Sequence, residues 1–589
     1  MTFHAPVNAI NYLLRHCAKI EDLSEYSQYA DIESELVSDI LQGAMDFAAQ
    51  VLAPINKSGD EYGATLKDGM VLAAPGFKEA YQAYVEAGWQ GISVPPDLGG
   101  MGLPQVLSVG VNEMLFSANM AFGLAPMLTA SSINAIIAHA DTSLKDKYLS
   151  KMVTGEWSGG MNLTEPQAGS DLGVLRSKAV PNDDGTYSIS GQKIFITWGD
   201  HDCAENIIHL VLARLPDAPQ GSRGISLFLV PKIFVNDDGS LGTRNRLKAI
   251  GLEHKLGIHA SPTCVMEFDG ATGWLVGPEN KGLACMFTMM NEARLFVGVQ
   301  GVAIGERAYQ QALSYAGERV QGRVIDEPDG TPIWGHPDVR RMLMDMKAGL
   351  MGARAINMAT AVAGDMARAT DDENIRKVFH AREALLTPIA KAYGSDMGVF
   401  ATSLGVQIHG GMGFIEETGA AQHYRDSRIT PIYEGTNGIQ AIDLVGRKLR
   451  RDGGQAMAAL IEELSKILEQ GTVYSADNGL DFETILENAR AGLDLLRWST
   501  EIVLKAPEKD ALASADAYLG VCGDVISGVL LLNSVTNGYK AGDPHAKSMH
   551  GLARHHAVHI LARAAARREQ IKKGAAPVFA LGTDHLADL

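Results

Sequence analysis

Only five cysteines occur in 589 residues (Cys17, Cys203, Cys264, Cys285 and Cys522); their number is odd and none forms Cys-x-x-Cys. This excludes a disulfide framework or a cysteine-based zinc site and fits a reducing compartment. Positive charge is also scarce, with 51 Lys and Arg against 69 Asp and Glu, a balance of −18. Such a chain has no global attraction for phosphate backbones or anionic lipid, so nucleic acid and membrane are poor partners. No run reaches about 18 consecutive apolar residues, and no spanning helix is expected. The start, MTFHAPVNAINYLLRHCAKIEDL, lacks a basic segment followed by an apolar core and does not read as a signal peptide. The expected location is the cytoplasm.

What the chain has is length, apolar content and glycine. At roughly 100–200 residues per domain, it predicts three to five domains or one large layered unit. Hydrophobic residues make up 46%, enough for a substantial core. Glycine, at 63 residues, is about 11% against a usual value of about 7%. Without a strict period, that excess implies many tight turns or close backbone approaches, some of them around a ligand.

The pattern along the chain falls into blocks. From about Ile32 to Glu156 apolar residues recur at helical spacing, broken at Gly59, Pro75 and the Pro95-Pro96…Gly99-Gly100 cluster. From Trp157 the texture becomes strand-like. Tyr187, Ile189, Ile194 and Ile196 alternate with polar residues behind an Asp184-Gly185 hairpin signal, and strand-like runs follow at 207–212, 225–230 and 263–268. Helical spacing returns from about Leu283 to Arg450, interrupted from Val324 to Gly335. Beyond Arg451, Met457, Leu460, Ile461, Leu464, Ile467 and Leu468 mark one apolar face, and Phe482, Ile485, Leu486, Ala489, Leu493 and Leu496 another. Segregated blocks of this kind indicate an α+β protein. The expected divisions are an extension (1–40), an N-terminal helical domain (41–156), a middle β domain (157–278), a helical bundle (279–450) and an appended helical domain (451–589).

Several short stretches could carry chemistry. LTEPQAGSD, 163–171, suits a tight loop offering N–H groups and hydroxyls to a polar ligand, although on composition it is simply a loop. GQKIFIT, 191–197, is a strand whose Phe195 could be core or the wall of an aromatic cofactor. QIHGGMGF, 407–414, lets a backbone approach phosphate oxygens, but it is not a P-loop and no strand precedes it. YRDSRITPIYEGTNGIQ, 424–440, sets Glu434 after Ile432-Tyr433, an apolar flank that favours a desolvated base over the usual solvated glutamate. His555, His556 and His559 include an i, i+4 pair, but they lie in a basic helix with Arg563, Arg567 and Arg568 and no acidic or cysteine partner is expected nearby; a solvated or interface helix face is expected there, not a metal site. Methionines at 289–290 and 342–351 read as core filling.

In this order and spacing, LTEPQAGSD, GQKIFIT, QIHGGMG and PIYEGTNGIQ resemble the acyl-CoA dehydrogenase family, supported by GWQGISVPPDLGGMG (88–102) and GISLFLVP (224–231). The APVNAINYLL start, TWGDHDCAENI after the GQKIFI strand, and the appended region are similar to the 3-methylmercaptopropionyl-CoA dehydrogenase branch. The resemblance implies an N-terminal helical domain, a central β-barrel and a helical bundle that bind FAD and an acyl-CoA. It implies Glu434 as the base that removes the α-proton. It implies Met161, Leu163, Thr164, Phe195, Thr197, Arg319, Gln407, Gly410, Gly411 and Thr436 at the cofactor, with the 407–411 loop and Arg319 serving a neighbouring subunit. Ser170, Arg294, Tyr433 and Gly435 are implied at the substrate, Arg294 on the CoA arm. Electron-transfer flavoprotein is the implied acceptor, and a homo-oligomer, here a homodimer, is needed to complete the site. Some relatives place the base just before the arginine equivalent to Arg294; that position is Ala293, which leaves Glu434, with Glu292 pointing elsewhere. The Arg-x-x-Phe-Gly pattern reads Arg319-Val-Gln-Gly322, Trp198 replaces a small polar residue and Gly438 a polar one. The alternatives are an oxidase using oxygen on the same fold and a non-catalytic acyl-CoA-binding relative.

Overall fold

A computed structural model describes residues 3–587. In chain order its main elements are α1 (Val7–His16), α2 (Gln105–Ala118) and α3 (Met120–His139), then β1 (Trp157–Asn162), β2 (Lys178–Pro181), β3 (Tyr187–Thr197), β4 (Asn206–Ala213), β5 (Ser226–Pro231), β6 (Leu247–Leu252) and β7 (Thr263–Val276). Three long helices follow, α4 (Gly282–Glu318), α5 (Pro337–Ala369) and α6 (Glu373–His409), then the short α7 (Ala420–Ser427) and α8 (Asn437–Asp443). The last part holds α9 (Gln455–Asn478), α10 (Glu483–Lys505), α11 (Ala515–Lys540) and α12 (Ala546–His559). Helices, strands and helices thus follow in the expected order. The chain nevertheless packs as two units, 44–103 with 118–293, and 1–43 with 104–117 and 294–589.

The first of these units contains the strands. The expected barrel is a seven-stranded sheet ordered β1-β4-β5-β7-β3-β2, with β6 also on β7. β4 and β5, apolar apart from Asn206, His209 and Ser226, are buried along their whole length, as strands covered on both faces must be. β7 pairs through its last residues with β5 and through the rest with β3 and β6, so one long strand joins two halves of the sheet. Ile189, Ile196, Val211, Phe228, Met266 and Phe268 fill the core they share. α3 is apolar on every face and starts on Asn119, whose side chain accepts from the Phe122 N–H.

The second unit is built on α4, α5 and α6. Gly298 and Gly301 of α4 meet Gly394 and Gly398 of α6 so closely that a Cβ on Gly301 would lie 2.2 Å from the Gly394 oxygen. Part of the glycine excess therefore serves helix crossing and not only ligand loops. α2 packs in this unit. Its buried Glu113 binds Arg354 of α5 in a network with Glu306 and Lys347, and Asp365 of α5 accepts from the Gln105 and Val106 N–H groups that start it. Such charges are tolerated inside only when paired: Glu113 fixes α2 against α5, and Glu306 fixes α4 against α5.

The segment after Arg451 joins the same unit. The two apolar faces expected on α9 and α10 are buried except Ile467, which is half-buried. α11 and α3 are long and apolar enough to span a membrane, but 89% and 83% of their most apolar windows are buried within the fold, as befits core helices. The N-terminal α1 packs here too: Tyr12 donates to the Ser534 carbonyl at 2.9 Å and His16 meets Asp543 at 2.8 Å. The histidines of α12 do have an acidic partner, contrary to the sequence reading. Asp345, 210 residues earlier, lies 2.8 Å from His555 and 3.9 Å from His559. Arg341 and Arg563 reach the other oxygen of that carboxylate at 2.7 and 3.6 Å, so its charge is already met by cations.

Gly301→Ala is expected to destabilise this second unit by about 1–3 kcal/mol through overpacking, read as a lowered urea midpoint. Gly551→Ala, on an exposed helix position with nothing within 4 Å, is expected to leave the midpoint unchanged or raise it.

Candidate active site

In the β-containing unit, the LTEPQAGSD loop leaves β1 and is held by charge. Glu165 is buried and accepts from Lys193 Nζ at 2.8 Å and from the N–H groups of Arg176 (2.6 Å) and Ser177 (3.0 Å). Lys193, wholly buried, also donates to the Leu163 carbonyl at 3.0 Å. Burial alone would raise the Glu165 carboxyl, but Lys193 and these donors hold it down at about 2. The sequence reading missed both residues, because a charged pair separated by 28 positions leaves no local pattern.

The pair sets up the strand beside it. The Ile194 N–H donates to the Thr164 carbonyl at 2.9 Å, and the register of β3 against β7 slips by one residue at this point, a β-bulge. Phe195 sits in the bulge with φ at 58° and its side chain 59% exposed. A left-handed aromatic residue kept out of an adjacent core is a strained arrangement of the kind found at ligand sites. Leu163 is buried, Met161, Thr164 and Thr197 are half-buried, and Ser170 is exposed in the loop. Trp198, flagged as unusual, turns inward at φ 51° and donates from its indole to the Ala121 carbonyl at 3.1 Å. Glu292 accepts from Asn134 at 2.7 Å within this unit, which engages that carboxylate in packing.

In the bundle unit, Glu434 lies in the turn between α7 and α8 with φ at 56°, followed by Gly435 at φ 83°. A Cβ on Gly435 would lie 2.8 Å from Gln440 Nε2, so both conformation and space call for glycine. Arg294 of α4, 5% exposed, donates to the Glu434 carbonyl at 3.4 Å and pairs with Asp443 of α8 at 3.7 Å. Its guanidinium is therefore turned inward onto the turn. Gln440 donates to the Glu434 and Gly435 carbonyls at 3.2 and 3.1 Å, Tyr433 donates to Gln300, and Thr436 caps α8 by accepting from the Ile439 N–H at 3.2 Å. Burial raises the Glu434 carboxyl to about 7, against the pull of Arg294 and Lys391. A carboxylate with that proton affinity is suited to take a proton from a weak carbon acid near neutral pH.

At the far end of α6, Gln407, Gly410 and Gly411 are exposed, Gly410 is left-handed at φ 59°, and nothing lies within 4 Å of a Cβ built on either glycine. Tyr315 stacks on His409 with ring centroids 4.5 Å apart, which brings the ends of α4 and α6 together. The exposed Arg319 lies just past the end of α4, and its guanidinium donates to Gln321 at 3.1 Å.

These features fit FAD. An aromatic face held out of the core suits a flat ring, and an uncovered glycine turn suits a pyrophosphate. Comparison with known proteins agrees. The family models for the acyl-CoA dehydrogenase N-terminal, middle and C-terminal domains match residues 35–156, 160–271 and 280–449. A 3-methylmercaptopropionyl-CoA dehydrogenase of Ruegeria pomeroyi is 51% identical over 475 residues, covering 79% of this chain and 81% of that protein. The fold matches Caenorhabditis elegans ACDH-11, solved with C11-CoA, at a TM-score of 0.78 and 19% identity, over 99% of this chain and 96% of the other. It also matches a Bacillus anthracis acyl-CoA dehydrogenase complexed with FAD at a TM-score of 0.75 and 22% identity, over 93% and 90%. With the sequence motifs, the half-buried glutamate turn and these matches in agreement, the chain belongs to the acyl-CoA dehydrogenase family and is an FAD-dependent oxidoreductase acting on acyl-CoA thioesters.

Proposed function

We propose that the chain converts a short acyl-CoA, 3-methylmercaptopropionyl-CoA or a close analogue, to its trans-2-enoyl thioester, with Glu434 as the base. The observation that carries this reading is the Glu434 turn, where a desolvated carboxylate lies beside its own left-handed backbone. Glu434 takes the α-proton as the C–H bond breaks, and its own N–H, which has no acceptor among the described residues, donates to the thioester oxygen where negative charge develops. FAD, when bound, supplies the two-electron acceptor for the β-hydrogen. Phe195, Met161, Leu163, Thr164 and Thr197 are the residues to hold its ring, and Gln407, Gly410, Gly411, Arg319 and Thr436 its nucleotide arm. Ser170, Tyr433 and Gly435 are assigned to the substrate, and Arg294 to the turn that carries the base.

The acyl group follows from the relative that is 51% identical. A homodimer is supported by Met412, Phe414 and Ile415, which leave 51%, 86% and 45% of their surface open on the loop of the glycine turn. Apolar groups exposed together call for a covering partner. Electron-transfer flavoprotein is the acceptor that the family resemblance implies. Five unpaired cysteines support a reducing, cytoplasmic location.

Anaerobic bleaching of the flavin by a panel of acyl-CoAs identifies the substrate; fastest bleaching by long straight chains would overturn the assignment. Peroxide formed in step with substrate loss would make the enzyme an oxidase instead. Glu434→Gln is expected to bind FAD and acyl-CoA normally and to lose about 10²–10⁴-fold in flavin reduction. Because the base must be ionised, the wild-type rate is expected to rise through about pH 7 and to fall tenfold per unit below it.

Lys193→Met leaves Glu165 buried without its cation. The variant is expected to lose on the order of 3–5 kcal/mol of stability and most of its FAD, read as flavin absorbance per protein after gel filtration. Full flavin retention would show that the loop does not depend on the pair.

A further inference from the structure

The charged groups around Glu434 include one that neither the motifs nor the assigned site uses. Lys391 lies in the middle of α6 with no exposed surface. Its Nζ donates to Asn437 Oδ1 at 2.8 Å. Asn437 is the first residue of α8, three positions after the base, and its amide nitrogen donates to Asp396 at 2.7 Å, to Ser395 at 3.0 Å and to the Ala392 carbonyl at 3.3 Å. Its N–H closes on the Pro431 carbonyl at 3.0 Å. Asn437 thereby closes the loop that carries Glu434 and ties it to residues 391–396 of α6.

We propose that Lys391 is a positioning residue for the reaction: through Asn437 it clamps the Glu434 turn onto α6 and supplies the carboxylate with a buried positive charge. An ammonium in this place needs a reason, because methionine or leucine would fill the space without the cost of desolvating a charge. Burial lowers the Lys391 ammonium to about 7, while Asp396 and Glu434 favour its charged form and Arg294 opposes it. Burial likewise raises Asp396 to about 6, with Asp516 of α11 acting in the same direction and Lys391 and Arg428 against it. On the other side of the base, Arg294 is shared with Asp443, which also meets Arg447 at 3.4 Å. Tyr433 stays neutral beside Glu434, its hydroxyl raised by burial. Lys391 is therefore the cation on the α6 side of Glu434, and Arg294 the one on the α4 side. The charge favours ionised Glu434 before proton transfer, and the amide clamp keeps the turn in place when that charge is neutralised.

The inference rests on Glu434 being the base. Its test compares Lys391→Met and Lys391→Gln, both uncharged, with Lys391→Arg, which keeps the charge. Gln also retains a donor for Asn437, so it carries the test if the Met protein does not fold. The pH dependence of anaerobic flavin reduction is measured for each. A second readout, independent of turnover, is the infrared carbonyl band of protonated Glu434, identified by its absence in Glu434→Gln.

In the uncharged variants the rising limb and the band titration are both expected to move up by about one pH unit, a tenfold rate loss below the limb. The Arg variant is expected to remain near wild type. An unmoved limb and band in a folded uncharged variant, with Glu434→Gln inert, would overturn the role of Lys391 and leave the base assignment standing. Wild-type turnover by Glu434→Gln would overturn the base assignment itself.

Discussion

The Glu434 turn depends on how closely α4 approaches α6. Where Gly298 and Gly301 meet Gly394 and Gly398, backbone touches backbone, and a Cβ on Gly298 would lie 2.5 Å from the Ala390 oxygen. Arg294 is four residues before Gly298 and Lys391 three before Gly394, so the crossing sets the two cations about one helical turn away from the contact. Between them lies the Glu434 turn, reached by Arg294 through its carbonyl and by Lys391 through Asn437. A wider crossing would separate those anchors. The carboxylate would then gain water and lose the raised proton affinity that its chemistry needs.

Strain marks the same functional points from the backbone side. Eight described residues other than glycine have positive φ, and Phe195 and Glu434 are two of them. Each is held by stronger interactions around it. Phe195 follows a residue whose N–H is fixed on Thr164, in a strand anchored by the Lys193–Glu165 pair. Glu434 is followed by Gly435, whose φ no ordinary residue adopts cheaply, and by the cap of α8. In both places an unfavourable conformation directs a side chain or an N–H outward, and the surrounding bonds cover its cost.

Block order, strand positions and the Glu434 turn were legible because each leaves a local trace in periodicity, turn residues or an apolar flank. The remaining features depend on contacts distant in sequence. Lys391 in an apolar helix gives no hint of Asn437, 46 residues later, and His555 gives none of Asp345. The exposure of Phe195 was equally hidden, because the bulge that turns it outward follows from pairing with β7 and not from the alternation within GQKIFIT. The assignment of Arg294 to the CoA arm came from resemblance alone. Its contact with the Glu434 carbonyl depends on the helix crossing and left no local trace.

The appended helices take part in the same arrangement. Tyr393, two residues after Lys391, presses its ring on Gly523 of α11 and meets Ser527 at 3.3 Å, and Ser527 in turn meets His556 of α12 at 3.0 Å. α6 is thus held by α4 through glycines and by α11 through Tyr393. Asp516, near the start of α11, adds negative charge beside Asp396 and strengthens the hold of that carboxyl on its proton. Raised only to about 6, Asp396 still carries charge where Glu434 titrates, and it shares the field of Lys391 with that carboxylate. By these contacts helices outside the three family domains brace the part of α6 that holds Lys391, and the additional residues back the Glu434 turn as well as covering apolar surface.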